Sequence, residues 1–282
     1  TTLFRSAGIS PGLDIKPLLA ELKARAAEEL DYLQESQSQR QFAAAYEGDD
    51  DFVVPHVLAA APNVVVSEWL EGFSLAKIIT DGTQAQRDHF GTLYLRFLLS
   101  GPLRAGLLHA DPHPGNYLFH PGGRVTFLDF GLVKHFTDDE MHTFIGMVKA
   151  AAYDHDPVAF RRILERAGML REGCPAPDDE VGEYFSQFYE SVRDDRVVTW
   201  SSDYSSRIVR HTFDRTSPIA NYASVPRAFV FIQRINLGLY ALLGELRASG
   251  NYRRIAEELW PMVNAGPSTP LGDAEARWLT SR

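Results

Sequence analysis

Apolar residues recur every three or four positions near the start of the chain, which is the spacing of one face of an α-helix. These positions are Leu18, Leu22, Ala26, Leu30 and Leu33. Asp14 suits the N-cap and Pro17 the first turn, so the pattern predicts one long helix over residues 14–46. Residues 1–12 show no such period, and we expect an irregular lead-in there.

Short runs rich in β-branched residues follow this helix and predict two strands, over residues 52–58 and 63–69. The Ala-Ala-Ala-Pro segment at 59–62 would join them. Val64, Val65 and Val66 are expected to enter a buried edge of a cleft, since β-branched side chains suit a pleated and covered surface.

The second half of the chain has mainly helical periodicity. A helix is predicted over residues 84–108, where Gly101-Pro102 should kink or split it, because proline lacks the backbone N–H that a helix interior needs. Thr137, followed by three acidic residues, predicts another helix start. Further helices are predicted over 141–153, 157–167, 180–197, 203–213 and 224–246. The stretch from Gly266 onward contains prolines and glycine, and we expect it to be loosely attached.

Composition narrows the classes of function. A length of 282 residues with 45% hydrophobic content is enough for one large core or two lobes. The formal charge of −9 argues against a nucleic-acid partner, because phosphate backbones are held by clustered lysine and arginine. A single cysteine, Cys174, excludes an internal disulfide and fits a reducing cytoplasm. The apolar segment at 228–246 holds too many polar residues for a membrane span.

The candidate chemistry lies in a loop that reads His-Ala-Asp-Pro-His-Pro-Gly-Asn, at 109–116, and in Leu-Asp-Phe-Gly, at 128–131. A predicted hairpin separates the two, with a Pro-Gly-Gly turn. Asp111 and Asn116 are five positions apart and match H-x-D-x-x-x-x-N, while Asp129 matches D-F-G, so the order and spacing resemble those of protein kinases. A lone D-F-G would be a weak signal. Both motifs in order predict a kinase-like site.

Phosphoryl transfer explains these residue types. The reaction requires positioning and charge neutralisation, and hard oxygen ligands must hold Mg²⁺ against the phosphates of ATP. Asn116 and Asp129 are the predicted metal ligands. Asp111 would orient the attacking hydroxyl or water and accept its proton. The expected cofactors are therefore ATP and Mg²⁺.

The His-Ala-Asp-Pro-His-Pro-Gly-Asn loop resembles the UbiB/AarF family of atypical kinase-like ATPases, which is associated with isoprenoid quinone biosynthesis. The resemblance implies a protein-kinase-like α+β fold. Residues 1–72 would form a partial N-lobe of a long helix and short antiparallel strands, residues 73–265 a mainly helical C-lobe, and residues 266–282 a C-terminal tail. Since family members often carry membrane-anchoring segments, peripheral membrane contact belongs to the expectation, beside a cytoplasmic location.

The resemblance also implies cofactor-binding residues. Glu29 and Asp31 match the family's E-x-D helix, and Glu35 resembles the glutamate that pairs with an ATP-contacting lysine in kinases. The hinge residues that would bind adenine through their backbone are Glu68, Trp69 and Leu70.

The ATP-contacting lysine itself has no good candidate in this chain. Lys16 and Lys23 lie in or beside the predicted helix, and neither a phosphate-binding loop nor the family's K-x-G-Q segment is found. We therefore expect the chain to derive from a longer protein and to bind ATP weakly by itself. The expected partners are a nucleotide and a small-molecule or lipid substrate.

Few residues separate D-F-G from the helix start at Thr137, which leaves little surface for docking a peptide. This favours a small-molecule or lipid phosphotransferase, or an ATPase, over a protein kinase. Two alternatives remain open at this point. One is a small-molecule phosphotransferase of the antibiotic-kinase type, and the other is a pseudokinase scaffold that binds nucleotide for a partner.

Overall fold

The first described helix is α1, Tyr32–Ala45, in a computed structural model that describes residues 31–111, 113–214, 216–259 and 265–280. Asp31 is its N-cap, because the carboxylate accepts a hydrogen bond of 3.1 Å from the backbone N–H of Gln34. The predicted unbroken helix over 14–46 is therefore wrong at Asp31, where a short carboxylate satisfies the backbone of a helix start. The predicted lead-in and the helical segment at 14–30 lie outside the described residues.

A three-stranded sheet holds the centre of the molecule. Strand β1, Phe52–Val53, runs parallel to β6, Val125–Phe127, which pairs antiparallel with β5, Tyr117–Phe119. Strands β5 and β6 are the predicted hairpin, and this prediction is confirmed. Gly123 adopts a φ of +90° in the connecting turn, a conformation that glycine adopts without steric cost.

A separate two-stranded ribbon consists of β2, Val57–Ala61, and β3, Val64–Ser67. The sequence prediction is wrong here in two respects. The alanines at 59–61 belong to the strand and not to the turn. Val64 and Val66 are 48% and 45% exposed, because no second layer of the described chain covers their face of this ribbon.

The other described α-helices and β-strands, in chain order, are α2 Leu75–Asp81, α3 Gln84–Arg104, β4 Leu108–His109, β7 Val133–Lys134, α4 Asp138–Val148, α5 Pro157–Arg166, α6 Asp178–Ser186, α7 Glu190–Arg193, β8 Val198–Thr199, α8 Ser202–Phe213, α9 Arg227–Leu246, β9 Ser249–Gly250, α10 Tyr252–Leu259 and α11 Pro270–Thr280. The fold is α+β, with short strands before Lys134 and mainly helices after it, as the sequence predicts. The capping box of Thr137 at the start of α4 confirms the predicted N-cap. None of the helices in these described ranges is both long and apolar enough to cross a membrane.

Helix α3 passes through Gly101-Pro102 without splitting and ends at Arg104, so the predicted split is wrong, while the kink stays a prediction. Burial explains why the helix continues. Phe90, Leu93 and Phe97 are at most 2% exposed on this helix, and a packed apolar face outweighs the cost of one proline. Gly101 lies so close to the carbonyl oxygen of Leu107 that a Cβ on it would be only 2.7 Å away. The chain therefore turns back tightly just after the helix.

Aromatic rings connect α1, α3 and the central sheet. Phe97 stacks on Phe127 with ring centroids 3.5 Å apart, and Phe42 of α1 lies 5.5 Å from Phe97. Phe42 also contacts Phe130, the phenylalanine of the D-F-G motif, at 5.1 Å. Aromatic pairs of this kind add packing energy beyond the area that they bury. Helix α1 is thus fixed against the segment that carries the candidate chemistry.

The chain after Gly266 is not loosely attached, contrary to the prediction. Helix α11 is fixed by the buried ion cluster, a set of five charged side chains that are all less than 10% exposed. The members are Asp49, Arg96, Arg104, Glu258 and Glu275. Arg104 contacts Asp49 at 2.7 Å and Glu275 at 2.5 Å, and its guanidinium lies 3.7 Å from the ring centroid of Trp278. The sequence prediction missed these long-range ion pairs, because hydrophobic periodicity does not reveal which distant charges meet.

Replacement of Arg104 by methionine should destabilise the fold by about 3 to 5 kcal/mol, because it leaves buried carboxylates without their cation. The measurement is the free energy of unfolding in urea. The matched control is Arg254→Met, which removes an exposed bidentate pair with Asp195 and should change stability little, because water and salt screen exposed ion pairs. Equal losses in the two variants would contradict the importance of the buried ion cluster.

Candidate active site

Two short strands place the candidate catalytic loop, residues 109–116, beside the D-F-G segment. Strand β4 ends at His109, and it pairs antiparallel with β7, so that His109 lies opposite Val133. The backbone N–H of Ala110 donates to the carbonyl oxygen of Leu132 at 2.9 Å. Asp111 therefore leaves this pair of strands next to the segment that contains Asp129.

The hairpin places the two predicted metal ligands at one end. Asn116 immediately precedes β5, and Asp129 follows β6 by two residues. The backbone N–H of Leu128 donates to the carbonyl oxygen of Asn116 at 3.0 Å, so the strands are still paired where the two side chains emerge. An antiparallel hairpin brings residues together in this way whenever they flank its open end.

Asp111 and Asn116 are in direct contact. The side-chain amide nitrogen of Asn116 donates to Oδ2 of Asp111 at 2.7 Å. This bond uses the amide N–H and leaves the amide oxygen of Asn116 available as a metal ligand. The hydroxyl of Tyr117 donates to the backbone carbonyl of Asp111 at 3.0 Å, which fixes the loop from behind. Pro112 lies outside the described residues.

Asp129 is held through both its side chain and its backbone. Oδ1 accepts a hydrogen bond of 2.9 Å from the backbone N–H of Gly131. The backbone carbonyl accepts a bond of 2.6 Å from Nε2 of His109. The other carboxylate oxygen makes no hydrogen bond to any described residue, so it can still bind a cation.

His109 is a positioning residue to which the sequence assigned no role. Its ring is 1% exposed and packs edge-on against Phe127 and Phe130. Burial lowers the pKa of His109, although the bond to the Asp129 carbonyl and the nearby carboxylates oppose this effect. Since Nε2 donates to a carbonyl, the neutral ring leaves Nδ1 unprotonated, and Nδ1 has no hydrogen-bond partner in the described chain. Its place as the first residue of H-x-D was the available signal.

Glu35 reaches this group from α1. A Cβ on Gly131 would lie 3.4 Å from Oδ1 of Asp129 and 3.6 Å from Oε2 of Glu35, so both carboxylates border the same glycine. Burial raises the pKa of Glu35, and the negative charge of Asp129 raises it further. No lysine or arginine of the described ranges forms an ion pair with Glu35. Glu29 and the two lysines at 16 and 23 lie outside those ranges.

The predicted hinge follows the β2–β3 ribbon, and Phe73 just beyond it forms a β-bridge with Phe119 of β5. Glu68 closes the ribbon, since its carboxylate accepts from the backbone N–H of His56 at 2.9 Å. Trp69 is 87% exposed, and neither Trp69 nor Leu70 forms a hydrogen bond with the described residues. Their backbone groups are therefore available for an adenine, whose binding here remains a prediction. Contact between the cofactor and Asp31, the N-cap of α1, likewise stays a prediction.

The donor set suits a magnesium ion that is completed by its substrate. No group of three or more His, Cys, Asp or Glu side chains in the described chain is arranged as a metal site. Mg²⁺ usually takes one or two protein oxygens and fills its remaining positions with phosphate and water. The Asn116 amide oxygen and the Asp129 carboxylate fit that pattern.

Comparisons with known proteins agree with the predicted family. The ABC1 atypical kinase-like domain matches residues 2–162. The chain is 34% identical over 139 residues to Protein ACTIVITY OF BC1 COMPLEX KINASE 3, chloroplastic, of Arabidopsis thaliana, a match that covers 48% of this chain and 19% of that protein. It is 28% identical over 155 residues to Atypical kinase COQ8, mitochondrial, of Schizosaccharomyces pombe, covering 54% of this chain and 25% of that one.

A solved structure extends the likeness over most of the chain. The complex of Rv3197 with erythromycin, from Mycobacterium tuberculosis, superimposes with a TM-score of 0.73 at 32% identity. The match covers 92% of this chain and 65% of that one. The chain spans less than half the length of the curated relatives that it matches.

Replacement of Glu35 by glutamine should stabilise the fold at neutral pH. Burial and the charge of Asp129 raise the pKa of Glu35 above its ordinary value, so ionising this carboxylate costs more in the folded than in the unfolded protein. As pH rises from the ordinary pKa through the raised folded pKa, the half-buried carboxylate ionises beside Asp129, and the parent loses stability that the variant keeps. Unfolding in urea at both ends of this pH window measures the difference.

The matched control is Glu172→Gln at an exposed position, where water hydrates the carboxylate in both the folded and the unfolded states. We expect little change there at either pH. A Glu35→Gln variant that is less stable than the parent at neutral pH would show that Glu35 has a cationic partner.

Proposed function

Because the chain belongs to the ABC1 atypical kinase-like family, we propose that it supplies the catalytic part of an ATP- and Mg²⁺-dependent phosphotransferase or ATPase. The observation that carries the proposal is the bond of 2.7 Å between Asn116 and Asp111, beside Asp129 at the same end of one hairpin. A link to isoprenoid quinone or lipid metabolism is part of the proposal.

In this proposal Asp111 is the catalytic residue. Its carboxylate receives a hydrogen bond from Asn116, and the Tyr117 hydroxyl holds its backbone, so its position is set before any substrate binds. It would orient the attacking hydroxyl or water and accept the proton that this group loses. The oxygens of Asn116 and Asp129 would hold Mg²⁺, which supplies charge neutralisation for the phosphates when it is bound.

Glu35 and the hinge would complete the nucleotide site. The half-buried carboxylate of Glu35 borders the same glycine as Asp129, and a cation would relieve the repulsion between the two. The free backbone groups of Trp69 and Leu70 would pair with the adenine ring. Glu68 would act by closing the ribbon that leads into this hinge.

The acceptor in this proposal is a small molecule or a lipid. Strand β7 pairs with β4 directly after the D-F-G motif, and Thr137 already caps α4. The intervening segment is too short to form a platform for an extended peptide. The proposal also includes contact with a membrane surface and a location in the cytoplasm. It includes no nucleic-acid partner. Two matched relatives carry chloroplastic or mitochondrial in their names.

A nucleotide-binding scaffold without turnover is the second candidate. The absence of a cation beside Glu35 in the described ranges favours it, since an active kinase site needs that pairing. The antibiotic-kinase alternative has less support, because the family match is to ABC1 proteins.

Replacement of Asp129 by asparagine should weaken Mg-ATP binding by at least about tenfold, because a neutral amide is a poorer ligand for a hard cation. Isothermal titration calorimetry of the longest natural protein that contains this chain measures the affinity. Asp139→Asn, at an exposed position in the first turn of α4, is the control and should bind as the parent does. Unchanged affinity in Asp129→Asn would remove this residue from the metal site.

Replacement of Asp111 by asparagine should separate binding from catalysis. Nucleotide affinity is expected to stay within a few-fold, while turnover falls by roughly a hundredfold or more, the usual scale for the loss of a positioned base. Phosphate release and phosphoryl transfer to quinone-precursor-like lipids are the two readouts. A parent protein that binds Mg-ATP without any turnover would favour the scaffold.

A further inference from the structure

A large cavity, partly open to the surface, lies in the helical part of the molecule, apart from the candidate active site. It has a volume of about 420 Å³ and lies among helices α3, α4, α9 and α10. Neither the catalytic loop residues Asp111 and Asn116 nor Asp129 and Glu35 line it. Leu108, the first residue of β4, and Phe136, two residues after β7, do line it and place it next to the active-site segments.

The lining of this cavity carries no charge. No Asp, Glu, Lys, Arg or His is found among the described residues that form its wall, which consist mainly of leucine, isoleucine, valine, methionine and phenylalanine. A phosphate or an ammonium group would lose its hydration in such a place and gain no ion pair in return. This wall therefore excludes nucleotides and charged metabolites and suits an uncharged apolar molecule.

A few polar groups on the wall have no partners. Gln233 and Asn236 lie three positions apart on α9, on one face of the helix, and their side-chain amides form no hydrogen bond with described residues. Trp200 is 2% exposed, lines the same cavity, and its indole N–H has no acceptor within the described chain. Buried polar groups normally find partners, so the indole N–H of Trp200 points to an absent ligand. The partly exposed amides of Gln233 and Asn236 add further hydrogen-bonding groups to the same wall.

Size leads to the same conclusion. Protein interiors are packed to crystal-like density and contain few voids larger than a water molecule. Cavities of a few hundred cubic ångströms with an apolar wall and a few convergent polar groups are typical of small-molecule sites. The occupant must have an apolar body and a neutral oxygen that can accept from an amide or an indole N–H.

We propose that this cavity binds an uncharged amphipathic molecule, with an aliphatic body and a hydroxyl or carbonyl oxygen at one end. The body lies against the leucine and phenylalanine side chains of α3 and α4. The oxygen pairs with the amides of Gln233 and Asn236. This site is separate from the cleft of the proposed phosphoryl transfer and does not depend on that function.

Fluorescence titration with N-phenyl-1-naphthylamine, a neutral apolar probe, tests the cavity. We expect saturable binding with one probe per chain, displacement by 1-decanol, and no displacement by Mg-ATP. Leu99→Trp, which adds bulk to the cavity wall, should weaken the binding of the probe at least about tenfold. Leu58→Trp, on the exposed ribbon, is the matched control and should bind as the parent does.

A second variant tests the polar end. Asn236→Leu keeps the side-chain size but removes the amide. It should weaken the binding of 1-decanol by roughly fivefold, the usual value of one hydrogen bond, and leave the affinity for the apolar probe unchanged. Circular dichroism establishes that each variant is folded. Probe binding that does not saturate, that survives in a folded Leu99→Trp variant, or that Mg-ATP displaces would overturn the proposal. An unchanged affinity of Asn236→Leu for 1-decanol would overturn it as well.

Discussion

The hydrogen bond from the buried ring of His109 to the backbone carbonyl of Asp129 is the interaction on which the site depends. It joins the start of the catalytic loop to the D-F-G segment at 2.6 Å, and burial lowers the pKa of His109, which favours the neutral form that makes this bond. Asp111 follows on one side of this bond and the carboxylate of Asp129 on the other. A shift of the ring would move both acids together, whereas the hairpin alone fixes only Asn116 and Asp129.

The aromatic cluster extends this constraint to α1. Phe42 packs on Phe97 and on Phe130, so the helix that carries Glu35 cannot tilt without disturbing the D-F-G segment. The result is a half-buried carboxylate held beside Asp129, an arrangement that costs free energy when the site holds no cation. Functional sites often contain groups of this kind, which destabilise the fold and gain their partner on binding.

Local signals in the sequence were sufficient for the hairpin and the helix start at Thr137, because turn residues and capping side chains act within a few positions. The fold class followed from the resemblance of the loop at 109–116 to a known family. The acids and amide of the site could be chosen because their spacing matches a known motif. Nonlocal packing decided the rest. The sequence could not show that burial would carry α3 through Pro102, that no layer would cover Val64, or that the Nε2 of His109 would bind a carbonyl twenty residues away.

The buried ion cluster has a consequence for how relatives of this protein can diverge. Asp49, Arg104 and Glu275 lie far apart in the chain, yet any single neutral replacement alters the charge balance of a site that water does not reach. An uncharged replacement at one of these positions therefore destabilises the fold unless the other positions change with it. Across relatives that retain α11, the three positions should vary as a set, either all charged or all replaced by apolar residues of similar volume.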